Sequence, residues 1–422
     1  MTELTKHRLQ DTKQTSWQLA AIQLAGWMSL PTLATSIYLL QVNSFIGAIL
    51  TILVGNGILW FIRLGIVGMA HKKRLSTLDI SRAYFGKTGS YFIAALLLVS
   101  TLAWFIAQTS AAGSALTNLL NIHEDPHIDQ FTQMSVFLGL ISAFLCMEGI
   151  PLLRRLSTLA FPVLIVAFFT ILFTLPSRVT GGNTNAMSLS GLTLILATNL
   201  GLSSDLPTFF RHSKSWSTSV RGLLAIQLVS VALGIACLYF GSIVTESFGI
   251  NHSLVMTSGN EILRFSLILF IFVSVICANV ANVYSASVGW EVLAPAGLVG
   301  RKEYLILGLT LTTIFILFSD LVPVELLLSI SDISLVSLCI ILVLGSMITK
   351  QLKKEPDKCL QISYFLAWFL SSAVDIVQSL YNKPYSLPLN LAIILVVICC
   401  GLAAHELLPR FRKKKDESKI VE

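Results

Sequence analysis

Apolar runs of about twenty residues, each long enough to cross a bilayer core of roughly 30 Å as an α-helix, recur along nearly the whole of this 422-residue chain. Hydrocarbon offers the main chain no hydrogen-bond partners, so a spanning segment must satisfy its own N–H and C=O groups. That restricts the chain to packed helices or a closed barrel, and runs of this length read as helices. Hydropathy predicts roughly twelve, at about 17–41, 44–69, 89–119, 131–149, 156–175, 188–209, 222–245, 262–287, 304–319, 322–349, 360–381 and 386–408. The expected class is an all-α polytopic membrane protein. A mean hydropathy of +0.78 with only 12% charged residues leaves no soluble domain of useful size.

The charges orient the spans. With alternating connections and an inside N-terminus, 25 of the 29 Lys and Arg residues fall on the inner side. Arg178, Arg264 and Lys383 fall outside, and Arg63 lies within a span, where it is expected to snorkel to the inner interface. The net charge of +7 is therefore topological and calls for no nucleic-acid partner. The polar start "MTELTKHRLQDTKQTSW" lacks the apolar core of a signal peptide. Seven cysteines lie mostly within apolar runs, without the spacing of a zinc site or disulfide framework.

Two spans carry the same interruption. "GWMSLPTLAT" (26–35) and "GLSSDLPTFF" (201–210) each set Leu-Pro-Thr among small and polar residues. Proline lacks an N–H and breaks the helical ladder, and irregular backbone survives in a membrane only within protein or beside a wet cavity. Pro31 and Pro207 thus mark helix breaks in the first and sixth spans. The triplets start 176 residues apart and their spans are five apart in order, so the second copy runs in the opposite direction. This matches an inverted repeat with binding sites at broken helices. The rival reading is an ordinary proline kink.

The third span, "STLAWFIAQTSAAGSA", puts Thr101, Trp104 and Gln108 on one face. An indole beside an amide stacks a planar ligand and bonds its edge, or else packs and bridges between helices. In the eighth span, Ser274 lies to one side of a polar stripe of Asn279, Asn282 and Ser285. The stripe either lines a path or acts as interhelical glue. Asp332 in the tenth span and Asp205 in the sixth are carboxyls at or near bilayer depth, where a bare charge costs at least roughly 2.5–3.5 kcal/mol. Proton relay and structural pairing both fit them. The "HEDPHID" loop (123–129) reads as solvated rather than metal-binding, and Tyr84 and Phe85 belong to a short inner segment.

With these residues in place, "LVGNGILWFIRLGIVGMAHKKRLSTLDISRAYFGKTGSY" (53–91) resembles the nucleobase–cation symporter-1 family, especially its cytosine-permease branch. "TFFRHSK" (208–214) and "NVYSASVG" (282–289) extend the likeness, which covers about 20–300. It implies a leucine-transporter-like fold of the APC superfamily: two inverted five-helix repeats (about 17–175 and 188–349) and two extra helices (about 360–408). Together these form one transmembrane domain, 17–408, between cytoplasmic tails 1–16 and 409–422. It implies a symporter for nucleobases, hydantoins or related heterocycles, driven by Na⁺ or H⁺, with substrate stacked on Trp104 and Gln108 one turn on. Asn199 stands where a second aromatic platform is usual, with Gly201 two residues on. Thr101 replaces one branch's Gln, and Ser274 an expected Asn. The positions of the family's hydroxyl sodium ligands are Cys277 and Ala278, a thiol and a methyl, which favours H⁺ over Na⁺.

The expected function is thus alternating-access import of a small planar heterocycle such as a nucleobase. Substrate would bind among Trp104, Gln108, Thr101, Asn199, Gly201, Ser274, Asn279 and Gly26, with Asp332 and Asp205 as coupling groups. No cofactor beyond the coupling ion and no resident metal are expected. The partners are the substrate, the cation and lipid, in a cell inner membrane; oligomeric state is open. An amino acid or amine in the same fold is the alternative, since broken-helix N-termini suit a carboxylate. A sensor or intramembrane enzyme is disfavoured by the absence of "HExxH", "GxSxG" and any appended signalling domain.

Overall fold

A computed structural model describes residues 13–29, 38–120, 130–174, 187–240, 260–293, 324–352, 356–381 and 386–420, with isolated positions between 303 and 314. They form α1 (Ser16–Trp27), α2 (Phe45–Lys73), α3 (Thr77–Leu119), α4 (Gln130–Cys146), α5 (Ile150–Thr174) and α6 (Leu189–Ser203). These are followed by α7 (Leu206–Phe210), α8 (Trp216–Cys237), α9 (Glu261–Leu293), α10 (Val324–Leu352), α11 (Lys358–Leu380) and α12 (Leu387–Ile420). Among the described residues eight helices are long and apolar enough to cross a membrane, and two shorter ones are apolar. The chain is an integral membrane protein. The "HEDPHID" loop and all but isolated positions of the expected span 304–319 lie outside the described residues.

The helix starts follow capping chemistry. Thr15 and Gln18 form a reciprocal capping box at α1, and Ser76 and Asp79 form another at α3. Ser44, Ser188 and Ser215 each accept a bond from a first-turn N–H. α3 is longer than its expected span because the inner segment with Tyr84 and Phe85 continues into it. The joint is Gly86, at φ 70, a conformation that costs glycine little.

α9 packs along α3, α4, α5 and α1, while α6 lies between α2 and α10. α1 contacts α5, α8 and α9, which makes it central. Large apolar side chains such as Phe61, Phe144, Leu159 and Phe173 point outward, each at least 73% exposed. On a water-soluble protein such a surface would be a liability; on this one it is the lipid face. α11 and α12 pack on each other and on α10, at the edge of the bundle.

Candidate functional site

α1 stops at Trp27, Met28 leaves the helical region (φ −74, ψ 63), and helix resumes at 38–42. Pro31 itself lies outside the described residues. α6 stops at Ser203, and α7 begins three residues later with Pro207 in its first turn. Proline at 207 takes away the N–H that would bond to the Ser203 carbonyl. The neighbouring carbonyls find side-chain donors from other helices: Thr77 Oγ1 donates to Ser204 O at 2.8 Å, and Cys339 Sγ to Leu200 O at 3.2 Å. The break is therefore supported by α3 and α10, as irregular backbone in a membrane must be.

A cavity of about 100 Å³ lies against this break, lined from α1, α3, α6, α7, α9 and α10. Trp104 lines it, and its indole Nε1 donates to Asp332 Oδ1 at 3.0 Å. Asn282 Nδ2 donates to Gln108 Oε1 at 3.4 Å, a long and weak bond. Ser285 Oγ donates to Asp205 Oδ2. Three polar pairs from α3, α6–α7, α9 and α10 thus border one space, with Trp27 and Phe209 adding aromatic walls. Such a lining, largely apolar with a few convergent polar groups, is how small-molecule sites are built.

The structure brings together Gly26, Thr101, Trp104, Gln108, Gly201, Asp205 and Asp332 around this cavity. It places three of the expected residues elsewhere. Asn199 Oδ1 accepts from Arg63 Nη2 at 2.9 Å, its Nδ2 donates to Ile195 O, and it lines a separate cavity on the other side of α6. Ser274 is buried and donates to Ile271 O. Asn279 is fully buried and donates to Thr109 Oγ1 at 2.7 Å, tying α9 to α3. In each case a donor is taken up inside the bundle, although Asn279 Oδ1 is buried without a partner. Thr101 Oγ1 donates to Leu98 O at 3.0 Å, so its hydroxyl proton is spent on its own helix. A Cβ at Gly26 would lie 3.9 Å from Ala278 Cα, and one at Gly201 3.6 Å from Asp332 Oδ1. Both are ordinary contacts, so neither glycine is imposed by crowding.

Arg63 corrects a second expectation. It does not reach the interface but is fully buried. Its Nε donates to Ser203 Oγ at 2.9 Å, Nη1 to Gln227 Oε1 at 2.8 Å and Nη2 to Asn199 Oδ1. Its Cζ lies 4.6 Å from the Trp27 ring centroid, a cation–π distance. Gln227 in turn donates to Asn56. A guanidinium has five donors in a fixed fork, and here three of them are met by groups from α6 and α8, with the Trp27 ring of α1 against its face, which makes burial tolerable without snorkelling.

Sequence reasoning did not single out Trp27, Phe209 or Gln23 as cavity residues. A signal existed for α9: Ala278, Ala281, Asn282 and Ser285 recur at steps of three and four, which is one helix face. Nothing comparable marks Trp27, since an aromatic at a helix end looks the same packed or open.

The sequence and fold were compared with known proteins. The family model described as permease for cytosine/purines, uracil, thiamine, allantoin matches residues 8–352. No curated protein sequence matches the chain. Among solved structures, the fold resembles Mhp1, a nucleobase–cation-symport-1 family transporter, closed with bromovinylhydantoin bound. That match has a TM-score of 0.72 at 15% identity, over 95% of this chain and 94% of that one. A Na⁺-coupled sialic acid symporter gives 0.69 at 12% identity over 94% and 90%. A manganese transporter from Eremococcus coleocola gives 0.58 at 12% identity over 94% and 95%. These likenesses establish a shared transporter fold.

Proposed function

The chain belongs to the permease family for cytosine, purines, uracil, thiamine and allantoin, that is, to the nucleobase–cation symporters, and from that premise we propose that it imports a small planar heterocycle by alternating access. It is a transporter of the cation-coupled, nucleobase type and not an enzyme. The single observation that carries the finer reading is the placement of Trp104. Its ring borders a cavity at a broken helix, and its N–H is held by a carboxyl from another helix. The ring face offers stacking area, and Gln108 with Asn282 offers donors and acceptors for a heterocycle edge.

Coupling to H⁺ fits this layout better than coupling to Na⁺. At the cavity Asp332 takes a hydrogen bond from the neutral indole of Trp104, and Asp205 takes hydrogen bonds from the neutral hydroxyls of Ser285 and Thr208. Protonation of Asp332 changes what it accepts from the indole, and so how firmly the stacking ring is set. Cys277 and Ala278 supply no hard side-chain oxygen to a sodium ion beside α1. The bias of Lys and Arg toward one side supports cytoplasmic ends in a cell inner membrane.

Uptake into proteoliposomes tests the reading. Nucleobases and hydantoins are expected to compete for one saturable process driven by an inward proton gradient, with amino acids inert. Trp104→Ala should abolish it while the purified protein remains folded. Competition by amino acids alone would favour the carboxylate reading, and saturable uptake in Trp104→Ala would remove the site.

A further inference from the structure

A third carboxyl within the bundle, Asp375, lies outside that cavity. Asp375 on α11 is 1% exposed and Asn390 on α12 is fully buried. Asn390 Nδ2 donates to Asp375 Oδ2 and to Ser337 Oγ of α10, the latter at 2.8 Å. Three helices thus meet at one polar point, and Trp368 Nε1, donating to Ser334 O at 3.0 Å, joins α11 to α10 nearby. The point is short of donors. Asp375 Oδ1, Asn390 Oδ1 and Ser372 Oγ are all buried without a hydrogen-bond partner. Ser372 precedes Asp375 by one helical turn and shares its face. Leaving buried acceptors unmet costs about 1–3 kcal/mol each, and more for a carboxylate.

We propose that Asp375, Asn390, Ser337 and Ser372 bind a Na⁺ ion where α10, α11 and α12 meet. Carboxylate, amide and hydroxyl oxygens are the donors that a hard cation selects. The single carboxylate balances one positive charge, and among the described residues no group of three His, Cys, Asp or Glu exists that would hold a divalent metal. No Lys, Arg or His forms a salt bridge with Asp375 among the described residues. Asp375 sits five residues before the end of α11, and Asn390 lies in the first turns of α12, close to the connection between them and so to water. Ser337 is five residues after Asp332 on α10, about 7.5 Å along the axis. An ion here would fasten the two C-terminal helices to the helix that holds Trp104 through Asp332. The site is separate from the substrate cavity, and its existence does not depend on what the cavity binds.

Thermal unfolding of the full chain in detergent, with NaCl exchanged for choline chloride at equal ionic strength, tests it. Na⁺ is expected to raise the melting temperature by at least about 2 °C through mass action. The increment should vanish in Asp375→Asn and persist in Asp332→Asn. Should Asp375→Asn not fold, equilibrium binding of radiolabelled Na⁺ to Ser337→Ala and Ser372→Ala is expected to weaken by roughly fivefold in each, the loss of about one hydroxyl ligand. A wild-type chain indifferent to Na⁺ overturns the proposal. So does an increment that survives Asp375→Asn, or one that disappears with Asp332→Asn instead, which would put the ion in the substrate cavity.

Discussion

The two faces of α6 are built on opposite principles. One carries Asn199 and Ser203 toward Arg63, where a permanent cation is enclosed by neutral acceptors and an aromatic ring. The other carries Gly201, with Asp205 just beyond the helix end, toward the cavity, where Asp332 takes one bond, from Trp104, and the Gln108–Asn282 bond is stretched. In the first region the polar groups are spent mainly on one another. The second is under-committed, so a solute gains by completing it. The helix period separates them, because at 100° per residue positions 199 and 201 lie about 200° apart. Trp27 serves both regions, lying under Arg63 and lining the cavity.

The contrast can be broken by substitution. Removing the guanidinium should have the largest effect on folding: Arg63→Ala orphans Asn199, Ser203 and Gln227 together and should cost about 3–5 kcal/mol, seen as a large fall in detergent melting temperature. Full thermal stability with lost uptake would instead move Arg63 into the transport machinery. Trp104→Ala should do the reverse, lowering uptake efficiency by about 100-fold or more with little change in melting. Trp104→Phe keeps a ring but drops the N–H to Asp332, and about tenfold is expected, the worth of one hydrogen bond to a charged group. Asn282→Ala, which removes one edge donor, should raise KM by roughly fivefold and leave the maximum rate nearly intact. Thr101→Ala should matter least, within about twofold, since that hydroxyl already serves Leu98 O.

Much of the fold was legible because bilayer chemistry is severe. A run such as 262–287 has few ways to satisfy its backbone other than as a helix, and the structure finds Glu261–Leu293. Pro207 announced a break for the equally general reason that it has no N–H to give. The site was legible only in part. Trp104 and Gln108 were found because they share a helix face with each other, a local property. Asn199, Ser274 and Asn279 were misplaced because a polar side chain inside a bundle has two fates, facing a cavity or bonding another helix. Its own sequence context is the same in both. Arg63 shows the same blindness: whether a long basic side chain snorkels or stays buried depends on donors and acceptors more than 130 positions away.

From its residues alone this chain had to be a membrane-embedded helical bundle with two interrupted spans, since segment length, charge bias and proline act locally and their physics does not wait for partners. Its likeness to the nucleobase symporters was likewise carried by contiguous stretches. What only tertiary packing decided was the pairing of Trp104 with Asp332, of Arg63 with Asn199 and of Asp375 with Asn390. Each joins groups on different helices. In a medium without water a polar group takes the partner that the helix packing brings within reach, and that choice is not written in either segment.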